Sequence, residues 1–164
     1  MARTFSIDLF FDDPVERVLR LFTHGPFLAD EAVHQGQLRA DTLELERSET
    51  SLHLRIDQVG PNRIPGAKPR EVPSELHYQW DLAQPGSRWW RVSPHEKGID
   101  VKGRHQLFAT PSGGTRYHME WELNVKVPVV GRVLEKKAEP AILAGAKKRE
   151  AFAKRWLKSG KLPE

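Results

Sequence analysis

Cysteine is absent from the 164 residues of this chain, which excludes disulfides, thiolate metal sites, iron–sulfur clusters and cysteine nucleophiles. Long hydrophobic runs are missing too. No stretch reaches the roughly 18 apolar residues of a membrane span, and residues 1–13 lack the basic, apolar and small-residue order of a secretory signal. Together these absences predict a soluble, cytoplasmic protein. What is present is a core-forming mixture, with 38% hydrophobic and 29% charged residues, five Trp and seven Phe. The length suits one domain spanning residues 1–164.

The net charge of +4 is unevenly placed. From Gly131 onward there are ten Lys or Arg and four Glu, a surplus of +6, so the rest of the chain carries −2.

Apolar residues alternate at Phe5, Ile7, Leu9 and Phe11, the period of a half-buried strand. Asp12 and Asp13 precede Pro14, the order of an N-cap followed by proline at the first helical position, and Val15, Val18, Leu19 and Phe22 follow at helical spacing. A second short helix, roughly Pro26 to His34, presents Phe27, Leu28 and Val33 and stops at Gly36. The period then returns to two. Leu43 and Leu45, a turn over Ser48 to Ser51, and Leu52, Leu54 and Ile56 read as a hairpin. Residues 60–73 hold four prolines and two glycines and read as a long loop, with Ile64 as an apolar residue for a lid. Strands follow through Tyr78 and Trp80, through Arg88 to Pro94 with Trp90 on the inner wall and Trp89 out of phase, and through Val101, Gly103, His105 and Leu107. The clearest alternation is Thr115 to Val127, with Tyr117, Met119 and Trp121 on the apolar face.

Gly131 to Lys158 reads as one long helix, with Pro140 predicting a kink or break near Lys136 to Pro140. Its apolar stripe runs through Val130, Leu134, Ala138, Ala141, Gly145, Phe152 and Trp156. The fold class is therefore α+β: a curved, seven-stranded antiparallel sheet, with two short helices after strand 1, wrapped around a long C-terminal helix. Small residues at mid-helix, facing an aromatic wall, predict an internal cavity.

The runs Gly98-Ile-Asp-Val-Lys-Gly-Arg104, Ser112-Gly-Gly-Thr-Arg-Tyr117, Val125-Lys-Val-Pro-Val-Val-Gly131-Arg-Val-Leu-Glu-Lys136 and Phe152-Ala-Lys-Arg-Trp-Leu157 resemble the START-like superfamily. It includes lipid-transfer domains, the birch pollen allergen, and polyketide cyclases and aromatases. The chain is similar to a bacterial branch of small stand-alone members described only as a domain of unknown function. The resemblance implies the helix-grip fold, which hosts many activities.

The candidate ligand pocket comprises Tyr78, Trp80, Trp90, His105, Tyr117, Met119, Trp121, Ala141, Gly145 and Lys148. His105 is the one histidine on an apolar strand face, a candidate acid, base or polar anchor. Lys148 lies about 40° from the centre of the helix stripe, where it could meet an anionic head group or simply reach water. No zinc-like histidine spacing, no G-x-S-x-G and no phosphate-binding glycine loop occurs, so no metal, cofactor or catalytic residue is assigned. The expected partner is a hydrophobic small molecule, lipid-like or aromatic, carried without catalysis. A cyclase or aromatase using His105 with Tyr78 or Tyr117, and a protein-binding module, are the alternatives. Nucleic acid is not an expected partner, because the aromatics fall on core-facing positions. The basic helix, with Lys147, Lys148, Arg149, Lys154, Arg155, Lys158 and Lys161, leaves transient contact with a membrane surface open.

Overall fold

A computed structural model describes residues 2–62, 66 and 68–164 of the chain. The elements follow the order β1 (Arg3–Phe11), α1 (Val15–Phe22), α2 (Gly25–His34), β2 (Arg39–Arg47), β3 (Ser51–Pro61), β4 (Glu71–Asp81), β5 (Gly86–Val92), β6 (Ile99–Ala109), β7 (Thr115–Val125) and α3 (Gly131–Ser159). The seven strands make one antiparallel sheet in the order β1-β7-β6-β5-β4-β3-β2. Hairpins join β2 through β7, and the long connection from β1 to β2 carries α1 and α2. The concave face of the sheet must cover its alternating apolar residues, and α3 with the two short helices does so. This is the helix-grip fold expected from the order of elements.

Alternation predicts most of the core. Leu9 and Phe11 on β1, Leu52, Leu54 and Ile56 on β3, and Tyr117, Met119, Trp121 and Leu123 on β7 are buried, and α1 buries Val18, Leu21 and Phe22 against them.

Several boundaries differ from expectation. Pro14, extended at φ −67° and ψ 159°, is itself the residue before α1, so the helix starts one position later than predicted, and Asp13 pairs with Arg17 instead of capping. Val33 is exposed, and α2 buries Glu31 and Ala32 beside Phe27 and Leu28. Leu43 and Leu45 lie on an edge strand and are exposed; register pairs Leu43 with Arg55, on the outer face, and shifts between Glu44 and Glu46. The loop predicted over 60–73 is shorter, because β3 extends through Pro61 and β4 begins at Glu71. Pro73 is accommodated because β4 pairs with β5 only from Glu75 onward, so on that side its missing N–H has no ladder to complete. Ile64, the residue marked for a lid, lies outside the described residues. The last strand stops at Val125, not Val127.

The helix α3 is continuous across Pro140, whose ring lies on the exposed side of the helix. Its phase is the main correction. The buried face runs through Glu135, Ala146, Arg149, Ala153, Trp156 and Leu157, rotated about one residue from the stripe drawn through Ala141, Gly145 and Phe152. Among the described residues no helix is long and apolar enough to cross a membrane.

Candidate functional site

A cavity of about 330 Å³ lies between α3, α2 and the concave sheet face. Leu28 and Glu31 from α2, Gln35 just after it, Ala141, Ile142, Gly145, Ala146 and Arg149 from α3, and Ile56, Gln58, Tyr78, Trp89, His105, Met119 and Trp121 from the sheet line it. Gln35 closes one side by donating from Nε2 to the carbonyl of Gly145 at 2.8 Å, tying the two helices together.

Of the predicted pocket residues, Tyr78, His105, Met119, Trp121, Ala141 and Gly145 line this space. Tyr117 is fully buried just behind it, with its hydroxyl 2.7 Å from His105 Nδ1. Trp80 is buried with its ring centroid 6.3 Å from that of His105. Two assignments are wrong. Trp90 points to the outer face, where it stacks on His77 at 5.0 Å and 4°, and Trp89 takes the inner position. The inner place exists because Gly103 lies opposite: a Cβ there would stand 2.8 Å from the Trp89 ring. Lys148 is exposed, and its neighbour Arg149 is the cation that enters the cavity wall.

Arg149 was hidden in the sequence because a charged residue ordinarily belongs outside. Its Nε lies 2.9 Å from Glu31 Oε2, an ion pair more than a well-aligned hydrogen bond, and its guanidinium sits 4.8 Å over the Phe22 ring. Burial raises the Glu31 carboxyl above the usual range against the opposing pull of Arg149, while Glu31 holds Arg149 charged against its own desolvation.

The His105–Tyr117 pair is neutral on both sides. Burial drives the imidazole well below its ordinary pKa, assisted by the Arg149 charge, and burial raises the Tyr117 phenol. The wall therefore combines one satisfied ion pair, one neutral hydrogen-bonded pair and aromatic surface. The indole Nε1 of Trp89, a buried donor, has no hydrogen-bond partner among the described residues. Such a donor costs about 1–3 kcal/mol until an acceptor meets it. Among the described residues no three His, Asp or Glu side chains converge as metal ligands would.

Solved structures share this architecture. The protein TTHA0849 from Thermus thermophilus is similar at TM-score 0.66 and 16% identity, covering 97% of this chain and 99% of its own. The Zhui aromatase/cyclase from Streptomyces sp. R1128 is similar at TM-score 0.67 and 9% identity, covering 96% of this chain and 94% of its own. Norcoclaurine synthase from Thalictrum flavum, in complex with dopamine and hydroxybenzaldehyde, is similar at TM-score 0.64 and 12% identity, covering 98% of this chain and 89% of its own. At these identities the likeness is one of fold, the START-like helix grip. No curated protein matches the chain in sequence. A family model described as a protein of unknown function, DUF2505, matches residues 7–157, and with nearly the whole helix-grip core inside that match the chain belongs to this family.

Proposed function

We propose that the protein binds a compact, mainly apolar small molecule, aromatic or short-chained, in the cavity between α3 and the sheet, without transforming it. The observation that carries this reading is the cavity wall itself: aromatic and aliphatic surface around a few polar groups, the Glu31–Arg149 pair, His105 and Gln58 among them. A ligand with one polar group would turn it toward those side chains and bury its apolar body, the usual division of labour in small-molecule sites. Size narrows the class. A cavity of about 330 Å³ lies at the lower end of the range for small-molecule sites, which favours a one- or two-ring aromatic over a long acyl chain. Two of the similar structures carry names with aromatic chemistry, which agrees with this class.

The test is native mass spectrometry of the freshly purified protein, followed by tryptophan-fluorescence titration with 2-naphthol and with palmitate. Binding of 2-naphthol that Ala146→Phe abolishes in a folded protein is the expected result. Ala146 is the better site for filling the space than Gly145, because Ala146 is on the buried face, whereas a Cβ on Gly145 first meets Gln35 Oε1 at 3.4 Å. Unchanged 2-naphthol binding in the filled variant overturns the reading.

A cyclase-like enzyme is the second reading, and one observation favours it: the 2.7 Å contact between His105 and Tyr117 beside the cavity. Proton transfer would need His105 Nδ1 to exchange Tyr117 for a substrate group, and the lowered imidazole pKa makes it a weak base. His105→Gln is expected to leave 2-naphthol affinity within a few-fold; a loss of turnover of about 10²-fold on an aromatic polyketide, with binding intact, would instead establish the enzyme.

A further inference from the structure

The corner between β7 and α3 breaks three local rules at once. Val129 is 98% exposed, and its φ of 71° puts a β-branched residue in the left-handed region. Val130 and Val133 beside it are about half exposed. The first turn of α3 contains no acidic residue, and the cations Arg132, Lys136 and Lys137 gather near the end of the helix where its dipole disfavours them.

The corner cannot relax by retracting. Gly131 approaches so closely that a Cβ would lie 2.3 Å from the Val125 carbonyl oxygen, and Glu135 Oε1 accepts the Val125 N–H at 2.8 Å. The surrounding structure therefore holds Val129 outward in a conformation that costs energy, the condition under which strain marks a functional surface. Glu135 is turned inward by that same bond. The other carboxylates of this end are also engaged: Asp100 with Lys126 at 3.0 Å, Glu96 with Arg91 at 2.9 Å, and Glu139 with Arg3. Arg132, Lys136 and Lys137 have no ion pair among the described residues.

From this arrangement we infer that the β7–α3 corner docks on the surface of an anionic lipid bilayer, with Val129, Val130 and Val133 entering the interface and Arg132, Lys136 and Lys137 meeting the head groups. A protruding apolar tip beside unpaired cations on the first turns of α3 fits a fluid, negatively charged interface. It fits a second copy of this chain poorly, because a twofold contact would press the same cations against one another. The basic residues near the helix C-terminus are not the basis of this surface: Arg149 is buried, and Lys147 and Lys154 each lie 3.8 Å from Glu150.

The full chain is sedimented with vesicles of phosphatidylcholine alone and of phosphatidylcholine with phosphatidylglycerol at about 3:1. Salt-sensitive binding to the anionic vesicles only is expected. Val129→Asp with Val133→Asp should weaken it about tenfold or more, and neutralising Arg132, Lys136 and Lys137 to Gln should weaken it by about fivefold for each charge. Val129→Gly, which relieves the strained φ without adding charge, should also weaken binding while raising thermal stability. Phe10→Ser, at an exposed apolar residue on the far end of β1, should change nothing. No binding to either vesicle, or binding indifferent to Val129→Asp, overturns the inference. A dimer lost in Val129→Asp, without vesicle binding, overturns it in favour of a contact between copies.

Discussion

Arg149 on α3 and Glu31 on α2 place Nε and Oε2 2.9 Å apart, both side chains buried, on the helical wall of the cavity. Neither residue has an opposite charge three or four positions away on its own helix, so the pair records how the two helices are docked. Glu31→Gln keeps the shape but strands the guanidinium, and a cost of about 3–5 kcal/mol is expected. Glu31→Leu with Arg149→Met removes both charges and should recover most of that loss. Urea unfolding midpoints decide the matter: a double variant as unstable as the single one would show that the charges are not coupled.

His105 should give the stability a pH dependence. Its folded pKa is held well below the ordinary value by burial, with the Arg149 charge acting the same way, and Tyr117, Tyr78 and Arg149 supply the titratable and charged groups around it. The unfolded chain takes up a proton near pH 6.5 that the folded chain refuses. Stability is therefore full above that pH and falls as pH drops toward the folded value, by at most about 1.4 kcal/mol per pH unit. His105→Gln should flatten this limb.

His118 acts with the opposite sign. Its bond to Asp8 at 2.6 Å raises its pKa, against a smaller opposing effect of burial, so its contribution is present below the ordinary histidine value and is lost as pH rises through the raised one. His118→Gln should remove a stability gain at acidic pH and leave the His105 limb in place. Unfolding midpoints measured from pH 5 to 8 that are identical in both variants would refute the two assignments together.

Gly103 is required by contact. A Cβ there would stand 1.9 Å from the Glu120 carbonyl oxygen on the neighbouring strand, as well as against Trp89. Gly103→Ala must spread β6 and β7 or displace the indole. A loss of about 1–3 kcal/mol, with a red-shifted tryptophan emission, is expected in thermal unfolding. Wild-type stability would show that the strand adjusts without cost.

The two adjacent tryptophans should separate cleanly. Trp89→Phe removes part of the aromatic cavity wall and should weaken 2-naphthol binding by about fivefold, the worth of roughly 1 kcal/mol of lost apolar contact. Trp90→Phe alters the outer-face contacts with His77 and His53 and should leave binding unchanged. The reverse result in fluorescence titrations would return Trp90 to the pocket.

Periodicity alone determined the elements and the architecture. Alternation at Phe5 to Phe11, Leu52 to Ile56 and Thr115 to Val125 depends on residues a few positions apart, and a single wet face with one long terminal helix leaves the helix grip as the economical way to cover the sheet. Six of the ten pocket assignments line the cavity for the same reason. Phase was the part decided elsewhere. In the short strand β5 both alternations carry a tryptophan, and the choice fell to Gly103 on the next strand, which leaves space for Trp89 alone. On α3 a local reading puts every cation outside, yet Arg149 turns inward because Glu31 of α2 and the Phe22 ring of α1 meet it there. Leu43 and Leu45 alternate as though buried and are exposed, because β2 is an edge strand whose register is set by β3. Which residues can be buried is written in their chemistry and spacing; which of them are buried depends on partners brought together only by the folded chain.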